Sequence, residues 1–413
     1  MQGRDGLLYG TTVYGGVNNK GVIFKIDTSG NIILLHNFNG SDGSYPWGGL
    51  TLGSDGYFYG ATPNGGAGSF GVLFKVSPTG TFTVLHNFLY PPQGGGDPFS
   101  PPVLAADGSF YGVTPSGGTI GSGVLYRITS DGGYTAIYNY NFTEAYDTLF
   151  PPVQGVNGDF YVTSIGGGVS GCGSISESSP RGVLVNVFSF DCGTEGEYPL
   201  GSPTLGANGH FYGTTDQGGT NNGGVLFDVD DDLNDTVLQD FGAITGGGTD
   251  PEAGLVLATD HNLYGLTLGG GARNHGTIYS VTPSGTLTNI FSWVVKVQAQ
   301  AAMVQHTNGT LYGVTYQGGN FGLGIVYSLD LGLGPFVTFV GSTGKAGQTA
   351  EILGQGLTGT TSVTFNGVPA TSFTVVSNTY MTAVVPSSAT TGKVVVTTPT
   401  GTLTSNVNFR IAK

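Results

Sequence analysis

The stretch "GGGARNHG" places Arg273 and His275 two positions apart in one glycine-rich loop. A histidine can take the proton α to a carboxylate while an arginine neutralises that carboxylate, which are the two demands of polysaccharide-lyase chemistry. Glu252 adds an acid from the same part of the chain, and Lys296 a second cation. The stretches "SYPWGG", "GDPFSP", "TDPEAG" and "KVQAQAA" carry a different set: Tyr45, Trp47, Asp97, Phe99, Glu252 and Gln300. Aromatic rings stack on the apolar faces of a sugar, and carboxylates and amides take its hydroxyls. The plainer alternative is that Trp47 and Phe99 only plug a channel mouth.

Further acids fall in loops of the same kind: Asp42, Asp97, Glu144, Asp147, Glu195, Glu197, Asp250 and Glu252. Two carboxylates are the minimum for glycoside hydrolysis, but no pair here has a diagnostic spacing. Solvated surface acids are the simpler reading of any one of them. Calcium could be held by such oxygens, yet no EF-hand pattern occurs, no zinc spacing is present, and neither a metal nor a cofactor is expected. His36 and His86 share one repeat position in "LHNF" and read as structural.

What must position these residues is a repeat. Tyr-Gly elements (tyrosine-valine in one copy) place tyrosines at Tyr9, Tyr59, Tyr111, Tyr161, Tyr212, Tyr264 and Tyr312, at intervals of 50, 52, 50, 51, 52 and 48 residues. Each unit reads as four short strands separated by turn sequences such as "SDG" and "SPTG", without helical periodicity. The expected fold is all-β: a seven-bladed β-propeller over residues 1–334, then a small immunoglobulin-like β-sandwich over 335–413. Variable loops between units and after each double glycine share one face, and the short turns share the other. By counting from each turn, Trp47, Phe99, Leu149, Leu200, Glu252 and Gln300 stand near the central opening of the variable face. The first unit keeps only Met1 and Gln2 of its innermost strand, so blade 1 is expected to lack most of that strand. The expectation is therefore a native chain beginning upstream, with a signal peptide.

Composition agrees with a strand-rich globular chain. Of 413 residues, 76 are glycine and 11% aromatic, and only 9% are charged. The net charge of −14 excludes nucleic acid and anionic membrane as partners, since both call for a basic surface. No apolar run of about 18 residues is present, so no membrane insertion is expected. Cys172 opens the third strand of the fourth unit and Cys192 follows its fourth strand. Those ends are neighbours in an antiparallel pair, so a disulfide and an oxidising compartment are expected, with two free thiols the alternative.

Two resemblances add to this. "ILGQGL", "VTFNGVPA", "VVPSSATTGKVVVTTPTG" and "VNFRI" resemble immunoglobulin-like IPT/TIG domains, over Pro335 to Lys413. Residues 1 to 334 resemble the bacterial "GloVer" tandem-repeat proteins through "YG-T---GG----G--F" and "L--F", with Val162 replacing the glycine in the fourth unit. That resemblance implies a secreted or surface-anchored bacterial protein and supplies no reaction. The combined expectation is a secreted or cell-surface monomer binding extracellular polysaccharide or a cell-surface glycan through its variable face. A lyase or glycoside hydrolase built on Arg273, His275 and Glu252, or a structural adhesion protein, are the alternatives. Whether residues 335–340 serve blade 7 or the C-terminal domain stays open.

Overall fold

The computed structural model describes residues 1–89, 94–242 and 248–412. Among them every regular element is a strand and none is a helix. Along residues 1–329, seven antiparallel sheets follow one another, one per repeat, each with its strands side by side in chain order. The second is representative: Thr51–Leu52, Phe58–Thr62, Val72–Val76 and Phe82–Asn87. The fifth gains an extra strand, Glu197–Pro199, paired to Phe211–Gln217.

The Tyr-Gly element builds the contacts between sheets. Tyr59 projects from one face of its strand and stacks on Phe110 of the next sheet, with centroids 3.9 Å apart; Tyr9 on Phe58 and Tyr111 on Phe160 do the same. Its hydroxyl donates to Asp55 Oδ2 (2.7 Å), the aspartate of the preceding turn, as Tyr9 does to Asp5 and Tyr264 to Asp260. Burial and the facing carboxylate push the Tyr111 hydroxyl up to about 12, so these phenols stay protonated donors. On the other face Gly60 lies opposite Phe74, and a Cβ at Gly60 would collide with that ring. In the fourth sheet the pair is Val162 opposite Ser176, with the bulk moved across the ladder. Ser176 Oγ there lies 3.5 Å from the buried Tyr140 hydroxyl.

The first sheet also meets the seventh. Gln2 Nε2 donates to Thr307 Oγ1 (2.8 Å), the Thr307 N–H donates to Gln2 Oε1 (2.9 Å), and Leu8, Val22, Phe24 and Ile26 pack with Val304 and Tyr312. Met1 and Gln2 make the pairing that Thr51 and Leu52 make in the second sheet: Gln2 bridges Leu8, and the Tyr9 N–H donates to Met1 O. Met1 and Gln2 are the two residues expected to remain of that inner strand, and they stand at its pairing position beside three named strands. The first and seventh sheets each have three named strands; the seventh has Val304–Gln305, Leu311–Val314 and Val326–Leu329 and no fourth strand among the described residues.

Residues beyond 335 form separate sheets with their own core of Val337, Ile352, Leu357, Phe365, Met381, Val394, Val396 and Phe409. Thr338–Phe339 pairs with Ile352 and Leu353, which assigns the open segment to these sheets. They sit on the short-turn face of the repeats. Arg4 is ion-paired to Glu351 (2.6 Å) and lies over the Tyr380 ring, Gln355 donates to Thr307, and Arg410 donates to the Gly155 carbonyl (2.6 Å). A cleft of about 280 Å³ opens there between Leu104, Gln154, Leu205, Gly341 and Arg410.

Candidate functional site

With the short-turn end covered, the variable-loop face is the open one, and the segments between units converge on it. Gly48 abuts the Phe99 carbonyl and Pro101, and Gly201 abuts Gly254, so a Cβ at either would not fit. Thr11 Oγ1 donates to the Gly48 carbonyl and Thr163 Oγ1 to that of Gly201. Each segment holds a non-glycine residue with a left-handed backbone at an equivalent place: Tyr45 (φ 57°), Asp97 (56°), Asp147 (56°), Tyr198 (58°), Asp250 (57°) and Gln298 (48°). Non-glycine residues seldom adopt that conformation. Here hydrogen bonds hold it, among them Tyr45 N–H to Lys20 O and Asp97 N–H to Phe70 O, both 2.8 Å.

Two of the sequence-predicted ligand residues are brought together directly. The Trp47 and Phe99 rings lie 6.1 Å apart at an interplanar angle of 56°, and Trp47 is 52% exposed. Beside them opens a cavity of about 370 Å³ lined by Pro63, Asn64, Asp97, Phe99, Ser116, Asp147 and Leu149, among others. Asp97 is anchored by the Ser116 hydroxyl (2.7 Å). Tyr45 packs edge-on against Tyr14, centroids 5.5 Å apart, with Lys20 over its own ring. Further round the face, Gln300 Nε2 donates to Glu252 Oε2 (2.5 Å). Burial raises the Glu252 carboxyl above its ordinary range, against the Gln300 hydrogen bond, and Asp216 and Asp250 push the same way. Burial and Asp250 raise Asp216 likewise.

The candidate lyase residues are placed differently. Arg273 is exposed and His275 half-buried in the loop between the second and third strands of the sixth sheet. The end of that loop lies at the outer strand, where the Trp293 N–H donates to Gly276 O. Among the described residues, no hydrogen bond, ion pair or ring contact joins Arg273 or His275 to Glu252. His36 faces Asp42 (3.0 Å) and stacks on Phe82, and His86 stacks on Tyr134, both between sheets, as their repeat position implied. The lining residues Asn64, Ser116 and Asp147 escaped the ligand set. For Asp147 a signal existed, since it occupies the repeat position of Asp97.

Cys172 and Cys192 form a disulfide, with Cα atoms 5.3 Å apart, tying the start of a third strand to the exit of the fourth. Both sulfurs are thereby committed, although Glu197 approaches them.

These features define an all-β, propeller-like repeat protein. The chain belongs to the Gloeobacter/Verrucomicrobia repeat family, whose model matches residues 1–151 and 148–376. The second match runs past the repeats into the C-terminal sheets. No curated protein matches. Among solved structures, a provisionally named 6-phosphogluconolactonase from Bacteroides uniformis is similar at 17% identity and TM-score 0.52, over 78% of this chain and 94% of that one. A periplasmic gluconolactonase from Pseudomonas aeruginosa is similar at 16% identity and TM-score 0.51, over 80% and 96%. The extracellular domain of a provisionally assigned hybrid two-component system protein from B. thetaiotaomicron matches at 14% identity and TM-score 0.50, over 96% of this chain and 49% of that one. At these identities the likeness concerns the fold alone.

Proposed function

We propose that the chain is a seven-bladed propeller, residues 1–334, followed by an immunoglobulin-like domain, 335–413, and that its open face binds an extracellular glycan. Seven successive sheets and the Gln2–Thr307 contact between first and last support the blade count. The separate core beyond residue 335 supports the second domain. The disulfide is consistent with a secreted or cell-surface protein.

One observation carries the binding reading: the Trp47–Phe99 ring pair beside a cavity whose polar lining is Asn64, Asp97, Ser116 and Asp147. An exposed aromatic wall next to hydrogen-bonding groups suits a sugar ring, whose faces are apolar and whose rim is hydroxylated. Asp97, Asp147 and the Glu252–Gln300 pair are acceptor-rich, which favours a neutral glycan over a polyuronate. The same preference sets the lyase alternative behind, since its cation, Arg273, is in no contact with this wall. Retention on a polysaccharide panel, with soluble products assayed in parallel, tests the reading. Binding without product supports it.

A further inference from the structure

The C-terminal sheets cover the short-turn face unevenly. Over the first, second and seventh sheets the cover is close: Arg4 pairs with Glu351, Leu353 packs in one cluster with Leu50 and Leu52, and Gln355 donates to Thr307. Over the third, fourth and fifth sheets the same layer stands off, and the cleft of about 280 Å³ opens between them. The inner strands show the difference. Leu52 is 2% exposed, while its repeat counterparts Leu104, Gln154 and Leu205 are half-buried and line the cleft. Most of the wall is apolar, from Val103, Leu104, Pro152, Val153 and Leu205. Gln154 is committed to backbone: its Oε1 accepts from the Ala106 N–H (2.9 Å) and its Nε2 donates to the Gly158 carbonyl (2.9 Å).

Against that wall stands one cation, Arg410. It is half-buried, and among the described residues its guanidinium makes one hydrogen bond, from Nη1 to the Gly155 carbonyl, and no ion pair. A guanidinium carries five N–H donors, so most of them have no protein partner there. The remaining arginines are placed differently: Arg4 and Arg127 are ion-paired to Glu351 and Asp107, and Arg181 and Arg273 are exposed. Burial lowers the Arg410 pKa, with no neighbouring carboxylate acting against it. The Ser342 and Thr343 hydroxyls line the same cleft and likewise make no hydrogen bond among the described residues. Charges held partly out of water are ordinarily paired, so a cation and two hydroxyls grouped at an apolar cleft suit an anionic ligand with an apolar body.

We propose that this cleft binds a small organic monocarboxylate. The carboxylate lies against the Arg410 guanidinium, whose planar fork fits two carboxylate oxygens, with the Ser342 and Thr343 hydroxyls as further donors. The hydrocarbon part lies on Leu104, Val153 and Leu205, in a space at the small end of ligand pockets. One cation matches one negative charge, whereas a dianion would leave its second charge uncompensated on a chain of net charge −14. The ligand touches both the repeats and the C-terminal sheets, so binding fastens one to the other and raises Tm. The site lies at the short-turn end and is independent of the glycan-binding face.

The test is calorimetric titration of the full chain with benzoate and with hexanoate in a carboxylate-free buffer. Benzamide and hexanamide serve as uncharged counterparts, and inorganic phosphate as a second anion. Saturable one-to-one binding of at least one carboxylate is expected, with its amide bound about tenfold more weakly or worse, the scale of a lost charged hydrogen bond. Arg410→Met weakens the carboxylate by a similar factor. Gly341→Leu abolishes binding by filling the cleft while leaving Arg410 unaltered. A Cβ at Gly341 meets only Leu104, at 3.8 Å, so that variant folds, and its own Tm without ligand checks this. No saturable binding of either carboxylate, equal binding of the amides, or binding unchanged in Gly341→Leu overturns the proposal. Phosphate bound as tightly as the carboxylates also overturns it, in favour of an inorganic-anion site.

Discussion

Val162 faces Ser176 across the ladder of the fourth sheet, where the six sister sheets set a glycine against an aromatic ring. The two departures from the repeat are one event, an exchange of volume between paired positions. Val162→Gly alone therefore opens a cavity and loosens the strand, at a cost of about 2–3 kcal/mol. Ser176→Phe alone overpacks against Val162 and destabilises by a further amount of about 1–3 kcal/mol. The double variant restores the sister arrangement and recovers most of the loss. Denaturant unfolding of all four proteins measures the coupling, and simple additivity contradicts the account.

Tyr59→Phe keeps the ring on Phe110 but removes the hydroxyl that donates to Asp55. The expected loss is about 1 kcal/mol, with binding at the open face unchanged. Tyr59→Ala also removes the stacked ring from a packed interface, and costs about 3–5 kcal/mol. A comparison of the two by chemical denaturation separates wedge from hydrogen bond.

The disulfide spans a sequence separation of 20 residues. Closing a loop of that size stabilises by about 3 kcal/mol, mainly through the unfolded chain. Replacing Cys172 and Cys192 together by serine lowers Tm, and a reducing agent lowers the native protein to the same value. Reduction that leaves Tm unaltered contradicts this.

Burial lowers the His86 pKa below its ordinary value of 6.5. The folded state resists a proton that the unfolded state takes up. Stability is therefore fully present above 6.5 and is lost as pH falls from there through the lowered folded value. His86→Phe keeps the stack on Tyr134 and flattens this part of the pH–Tm profile, measured between about pH 7 and pH 5.

Much of the scaffold was legible because the repeat reports on itself. Seven tyrosines in register implied the sheets, and the fourth unit's alignment placed both cysteines at one hairpin. Counting from the turns also brought Trp47 to Phe99 and Glu252 to Gln300, since equal spacing puts equivalent residues at one radius. What the period could not show was contact between non-equivalent parts. Arg4 with Glu351 and Arg410 with Gly155 cover the short-turn end through pairs 347 and 255 residues apart, with no local signature. The pairing of Thr338–Phe339 with the C-terminal strands was ambiguous because "PFVTFV" has strand character suited to either site. Arg273 and His275 suggested chemistry by type, and the fold carries their loop toward an outer strand, away from the ring pair.

Retention of the full chain on immobilised polysaccharides, with released sugars assayed in the same wells, bears most directly on the central claim. The account predicts that at least one neutral glycan retains the protein without product. Trp47→Ala and Phe99→Ala each weaken retention about tenfold or more, the effect of losing one stacked aromatic, while His275→Ala does not. No retention across the panel, or an unsaturated product that disappears in His275→Ala, would contradict it.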